Sequence, residues 1–510
     1  MEENTKSLTK QQAWESAPKM HISCFLYAIF YTFCLYQNRS GITFPFFIGG
    51  TLFFFGFYLK KSGVTAVKEN RFWMIALILL GVINCTTASD VLITLNRLLG
   101  IVLFAVWMLQ MILGQKTRNW RLGVWCAEIL QIFWQSILHI MAPFTDAVAY
   151  RKSRIAQPID EQKTQKRNRV IFAVLIGIAV SIPILTIVGL LLLCSDLVFY
   201  EMFCNLFGWF GQWHIPKWFV DGAVLRIIFM VVAVFVYTYG MLAYCRKRQT
   251  CEEKEQAKCP QWDAYIAITM TVLITALYLI FCIVQIFGLF LGKMSLPEGY
   301  TYAEYVRRGF FPLLFVCIFN ICLVPACHAF FARSKILNLL LTIICCCTYI
   351  MVASSAYRMA LYINSYGMTF LRFAVLWTLA VIVLFTAGIL YDIYHENFEL
   401  FRYLLVVATI GYLSFAMIHP DYWIAKYNIA ALKNGEMTDT FYLQQNLSAD
   451  AAPAIAALSQ MEIKEEICDV DVLRNRYFSR IQRENEDMNI RNWNLSRAVA
   501  EYYAQNRADN

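Results

Sequence analysis

Two stretches of this sequence carry polar residues whose types and spacing could do more than pack. The first is Thr301-Tyr-Ala-Glu304-Tyr-Val-Arg307-Arg308-Gly-Phe-Phe-Pro312. Thr301 and Glu304 stand at capping-box spacing, which starts a helix, and Glu304 and Arg308 are ordered for an ion pair four residues apart. Pro312 has no N–H for the carbonyl of Arg308. Farther in, Asn320 places an amide mid-span, and Pro325 frees the carbonyl of Ile321. Helices interrupted in this way line transporter binding sites, and they also occur as plain kinks. In the second stretch Ser354, Arg358, Tyr362 and Tyr366 recur every fourth residue, one polar-aromatic stripe on a helix, with Arg372 just beyond. An arginine at the bilayer centre costs about 2.5–3.5 kcal/mol and needs a partner. At the edge it can snorkel, and the position of Arg358 just past an apolar core favours the edge. Glu304, Arg307, Arg308, Asn320, Arg358, Tyr362, Tyr366 and Arg372 therefore form the candidate cluster, suited to ion pairing and recognition.

No pattern for catalysis accompanies them. The sequence has no GxSxG, HExxH, P-loop or glycine-rich phosphate fingerprint. Its six histidines lack metal-ligand spacing, and its seventeen cysteines include no CxxC pair. Cys345, Cys346 and Cys347 stand together in an apolar run and read as small hydrophobes; Cys194 and Cys204 are the extramembrane candidates for a disulfide. We assign no catalytic, cofactor-binding or metal residue and expect no cofactor.

The elements that must carry the cluster are membrane helices. Of the 510 residues 59% are hydrophobic and 15% charged, well below the quarter charged of a soluble domain. Apolar blocks of span length recur at roughly 23–38, 42–59, 72–89, 96–114, 170–193, 224–244, 264–291, 309–328, 336–356, 370–391 and 403–419. The expected fold is all-α: a polytopic transmembrane helix bundle of about eleven spans with a small helical C-terminal extramembrane tail. The formal charge of +9 comes from basic residues between apolar blocks, so it indicates loops beside a lipid bilayer rather than nucleic-acid binding. Lys60, Lys61, Lys68 and Arg71, then Lys116, Arg118 and Arg121, then Arg246, Lys247 and Arg248, then Arg333 and Lys335 mark cytoplasmic loops. This alternation puts the N-terminus inside and residues 420–510 outside.

The sequence divides into a polar N-terminus (1–20), N-terminal spans (21–121), an amphipathic interfacial helix with a basic linker (122–169), a C-terminal bundle (170–419) and the tail (420–510). In the interfacial helix Glu128, Gln131, Gln135 and His139 form a polar stripe, with Trp125, Ile129, Ile132 and Phe133 expected toward lipid. A further span is the rival reading. The segment 197–220, with Trp209, Trp213 and Trp218, reads as an outer interfacial anchor. In the tail, Asn434-Gly435 ends one helix, Ser448 or Asp450 caps the next ahead of Pro453, and 477–483 and 494–505 are amphipathic. We expect the tail to dock on the cluster through Trp493 to Arg497.

EYVRRGFF, SSAYRMALYINSYGMTFLRF, IAKYNIAAL at 424–432 and WNLSRA at 493–498 resemble a bacterial membrane family, domain of unknown function 4173, with its relative 4153. The likeness covers roughly the last two-thirds of the chain. It implies a multi-pass protein of the bacterial inner membrane with a C-terminal tail, and it supplies no activity. The expected function is a non-catalytic sensor, regulatory or scaffold component whose partner is another membrane or signalling protein. A transporter or flippase and a membrane-embedded enzyme are the alternatives.

Overall fold

The computed structural model describes residues 17–61, 70–114, 122–155, 223–250, 262–287, 302–395, 398–435, 440–459, 469–486 and 488–506. Among these no strand occurs, only an isolated bridge between Trp262 and Phe331. Helix is the element that satisfies its own backbone in lipid. The membrane-region helices are α1 (Ala17–Leu35), α2 (Thr43–Lys61), α3 (Asn70–Thr86), α4 (Asp90–Leu113), α5 (Leu122–Leu138), α6 (Ala142–Ile155), α7 (Ala223–Thr250), α8 (Ala264–Gln285), α9 (Tyr302–Phe330), α10 (Lys335–Tyr366), α11 (Phe370–Tyr394) and α12 (Leu400–Met417). The tail adds α13 (Pro420–Lys433), α14 (Phe441–Gln445), a 3-10 turn at Ala449–Ala451, α15 (Ala452–Ala456), α16 (Val470–Asn485) and α17 (Leu495–Gln505).

Among the described residues, eight helices are long and apolar enough to cross a bilayer: α2, α4 and α7 to α12. The α5–α6 pair, bent by 53°, makes a ninth if it is one span, and α3 is a shorter apolar helix. Of the eleven expected blocks, 170–193 lies outside the described residues, as do the tryptophan-rich segment 197–220, Cys194 and Cys204. The protein is a multi-pass membrane protein. The segment 122–142 differs from a simple amphipathic helix with one lipid face. Trp125, expected toward lipid, is buried and stacks on Phe401 at 5.1 Å, while Glu128 pairs with Arg248 at 2.9 Å. A polar stripe is equally compatible with a protein partner, and here a basic helix end supplies one.

The chain forms two compact units, Met1–Tyr36 with Gln135–Ala243 and Gln37–Trp134 with Tyr244–Asn510. In the first, the ring of His21 packs 4.6 Å from Tyr239 and its Nε2 meets the carbonyl of Pro143 at 2.9 Å. Tyr239 in turn donates to Asp146 at 3.0 Å. Gly240 allows close backbone approach here: a Cβ would stand 2.6 Å from the Ser136 carbonyl oxygen.

In the second unit, α8 to α11 share one core that includes Phe310, Leu341, Met351 and Ile382. At the other side Tyr412 of α12 donates to Asn96 of α4 at 2.8 Å. The tail has its own core, with Leu443, Leu447, Ile455, Val470, Leu473 and Tyr477 fully buried. Burying one such aliphatic side chain contributes about 1.5–3 kcal/mol, enough in sum for the tail to order as a packed body. Its chemistry-bearing contacts follow from its helix starts. Ser448, Asp469 and Asn494 each cap by accepting a backbone N–H, and Pro453 sits in the first turn of α15.

Candidate functional site

Among the described side chains, the predicted cluster separates into three places. Asn320, 2% exposed, joins three helices: the Tyr278 hydroxyl donates to its Oδ1 at 2.8 Å, and its Nδ2 donates to Thr348 at 2.9 Å. Thr348 passes the chain on to the carbonyl of Ile344 at 2.8 Å. A mid-span amide satisfied on both sides pins α8, α9 and α10 in one register, since breaking it would strand polar groups in a low dielectric. Helix α9 continues through Pro312 and Pro325. Glu304, Arg307 and Arg308 lie in its first turns, and their side chains are outside the described residues.

The stripe of α10 grades from buried to exposed. Ser354 is fully buried and Arg358 is 7% exposed; Tyr362 is half-buried and Tyr366 exposed. With 32 residues, α10 is about 48 Å long, so its ends pass beyond a ~30 Å hydrocarbon layer. Arg358 therefore sits toward one edge, yet it does not snorkel. Its guanidinium donates to Gln285 Oε1 at 3.1 Å, and Ser354 donates to the same oxygen at 2.8 Å. This gives a test of order. Gln285→Leu removes an acceptor shared by a buried cation and the Ser354 hydroxyl and is expected to cost about 2–3 kcal/mol, whereas Arg358→Met removes the charge itself and is expected to cost less. Thermal melts of the detergent-solubilised protein rank the two, and the opposite ranking would refute the pairing.

Tyr362, Tyr366 and Arg372 do come together. Arg372 lies over the Tyr362 ring at 4.1 Å and donates to the carbonyls of Tyr366 (2.9 Å) and Gly367. Gly367, with φ +74°, ends α10. The tail docks on this turn. Asn428 of α13 pairs both ways with Met368, accepting from its N–H at 2.7 Å and donating to its carbonyl at 2.8 Å. The Tyr442 hydroxyl accepts from the N–H of Phe370 at 2.8 Å.

A second contact lies on the turn between α3 and α4. Asp450, its side chain fully buried, accepts from the Thr87 hydroxyl at 2.5 Å and the Ala88 N–H at 2.7 Å. Its Oδ2 also receives Nδ1–H of His419 at 3.3 Å. His419 joins α12 to α13 in the left-handed region, φ +51°, a conformation uncommon for a residue with a Cβ. Beside it Asp421, 4% exposed, accepts from the Ser448 hydroxyl at 2.5 Å and the Ser448 N–H at 3.2 Å. Burial pushes the Asp421 carboxyl up from 3.8 to about 6; the Ser448 bonds pull against this and nearby Asp450 adds to it. The imidazole of His419 is raised chiefly by its bond to Asp450, against the effect of burial. The Asp450 carboxylate and the His419 imidazole thus close one joint between tail and spans, and Asp421 beside them ties the start of α13 to Ser448 within the tail.

A third contact uses the segment expected to dock, at a different receptor. The Trp493 carbonyl accepts from the Ile42 N–H at 2.9 Å, Asn494 Nδ2 donates to the Thr87 carbonyl at 2.8 Å, and Ser496 donates to that of Thr86 at 2.6 Å. These lie at the start of α2 and the end of α3. Gly41 makes the approach feasible: a Cβ there would stand 2.6 Å from Asn492 Cα and 2.9 Å from the Arg491 carbonyl oxygen. Both are backbone atoms, which cannot swing aside. Gly41→Ala is expected to loosen residues 488–506 by about 1–3 kcal/mol. Gly49→Ala, with nothing within 4 Å, is the control. Limited proteolysis compares them, and equal resistance would contradict the contact.

Sequence reasoning missed His419, Asp421, Asp450 as a bridge, Thr87, Asn428 and Gln285. The available signals were the His419-Pro420-Asp421 boundary, where apolar sequence turns polar, and the Thr86-Thr87-Ala88-Ser89-Asp90 run between two spans.

No curated protein and no solved structure matches the chain. A family described as "Domain of unknown function (DUF4153)" matches residues 74–458, from α3 through α15. The match starts earlier than the resemblance read from the sequence and ends before WNLSRA. It takes in α3, α4, every span from α7 to α12, and the His419–Asp421–Asp450 joint. Covering about three-quarters of the chain, it shows that this membrane protein belongs to the domain of unknown function 4153 family.

Proposed function

We propose that the chain is a non-catalytic regulatory component of a bacterial inner membrane, in which the tail reports or controls the arrangement of the spans. The observation that carries the reading is Asp450: one carboxylate of the tail holds the α3–α4 turn and the end of the last span together. The loops at the tail end of the spans, 36–42, 87–89, 367–369 and 418–419, hold one basic residue, Arg39. At the opposite end of the same helices Lys60 and Lys61 close α2, Arg333 stands between α9 and α10, and Lys335 opens α10. By the positive-inside rule this supports a tail outside the cytoplasm, where it can meet an envelope component or the outer part of a membrane or signalling partner.

A transporter or flippase is the second reading, favoured by the buried Tyr278–Asn320–Thr348 chain within the spans. Complementation of a deletion strain separates the two. Under the regulatory reading, Asp450→Asn and removal of 436–510 leave membrane insertion intact and abolish complementation, while Asn320→Leu, if it inserts, complements. Full complementation by Asp450→Asn combined with failure of Asn320→Leu would reject the regulatory reading in favour of transport.

A further inference from the structure

Helix α16 packs on α14, α15 and α17, within the tail. Beside it lies a cleft of about 540 Å³, lined by Arg476, Arg480, Arg483, Gln445, Ser479 and Glu484 among others. That volume falls in the range of small-ligand sites, about 300–1,000 Å³. The lining runs against its surroundings, because residues 420–510 carry fourteen acids and ten Lys or Arg, yet three of those cations meet in this one place. Arg476, Arg480 and Arg483 are also like charges at helix spacings of four and three, each pairing unfavourable by about 0.2–0.5 kcal/mol with no anion present.

The three arginines are not equivalent. Arg480 is fixed as a wall: its Nε donates to the Gln444 carbonyl at 3.3 Å, one Nη to that of Leu447 and the other to Glu484 at 2.8 Å, over the ring of Tyr477. Glu484 neutralises it. Arg476 gives one N–H to Gln444 Oε1 at 3.3 Å, and Arg483 gives its Nε to the Ser479 carbonyl at 3.2 Å. Those bonds each engage one nitrogen of two exposed arginines that line the cleft. The two arginines are seven residues apart, two turns or about 10.5 Å along the axis. Such spacing suits an extended anion with several oxyanion groups, each taken bidentately, and guanidinium forks match phosphate oxygens in that way.

We propose that this cleft binds a phosphate-bearing anion with more than one charged group, drawn either from solution or from lipid headgroups. The site goes beyond the regulatory reading and does not need it, since a tail that never leaves the spans would bind as well.

The test uses the full chain in zwitterionic nanodiscs, titrated with inorganic tripolyphosphate in a calorimeter. Saturable binding is expected, weakened at least tenfold in R476Q/R483Q and unchanged in Lys426→Gln, which alters a cation elsewhere in the tail. Arg476→Lys keeps the charge and loses the fork. It should give an intermediate loss, and it stands in if the double variant fails to fold. Repeating the titration in nanodiscs containing cardiolipin, whose headgroup carries two phosphates, separates the sources: affinity is unchanged for a soluble ligand and lost when headgroups already fill the cleft. No saturable binding, equal affinity in R476Q/R483Q or its stand-in, or equally tight binding of polyglutamate would overturn the proposal.

Discussion

Asp450→Asn is expected to free the tail from the α3–α4 turn at a cost of about 3–5 kcal/mol, the scale for breaking a buried, charge-assisted network. The carboxylate is an acceptor at both oxygens, toward the Thr87 hydroxyl and His419 at one and the Ala88 N–H at the other. An amide of the same shape keeps one oxygen and replaces the other with an N–H₂ donor. With the N–H₂ toward the Ala88 N–H a donor faces a donor, and with it toward Thr87 and His419 both of those groups must turn from donor to acceptor, in a site with no exposure. Thr87→Val removes a single bond and should cost less, about 1–2 kcal/mol. Hydrogen exchange at the Ala88 amide and along α13 and α15 reads the effect directly. Protection in Asp450→Asn equal to that of the parent would mean that Asp450 is not what holds the joint.

How much of this was open to sequence reasoning depends on the range of the interaction. Span-length apolar blocks are local facts, and the eight long helices lie where those blocks lie. Helix starts and stops in the tail are also local: Ser448, Asn494 and Gly435 stand where capping chemistry puts them. The α10 stripe fixed a face, and one bend in the chain at Gly367 brings Arg372 back onto Tyr362. What pairs across hundreds of residues was not legible. Thr87 and Asp450 are 363 positions apart, and a lone threonine between two apolar blocks looks like any loop residue. Arg358 shows the same limit from the other direction. Its cost in the membrane was calculable, but its partner Gln285 is a single amide at the end of a different span. The docking segment 493–497 was recognisable as a contact strip, while its receptor at Ile42, Thr86 and Thr87 depends on which helix ends lie side by side.

The folded tail is expected to gain stability on mild acidification and to lose it as pH rises from 5 to 8. Asp421 has its carboxyl raised from 3.8 to about 6 by burial, so the folded tail holds this proton more strongly than an unfolded one. Stability from such a group is full below its ordinary value and lost as pH climbs through the raised value. A rise of about two units corresponds to roughly 3 kcal/mol, lost between about pH 4 and pH 6. His419 is raised by its bond to Asp450, so its contribution has the same sign: present below 6.5 and lost above its elevated value. Asp450, Arg480, Tyr442 and Tyr477 are the other charged or ionisable side chains near Asp421. Arg480 opposes the rise, and the two tyrosines are themselves pushed above their ordinary range. Proteolytic release of the tail, followed at pH 5, 6, 7 and 8, should therefore accelerate with pH. Asp421→Asn, which keeps an acceptor for Ser448 and has no charge to bury, should stay folded at the alkaline end, and His419→Gln should flatten the part of the profile above pH 6.5. A tail that unfolds on acidification, or a profile unchanged in both variants, would place the pH response somewhere other than this joint.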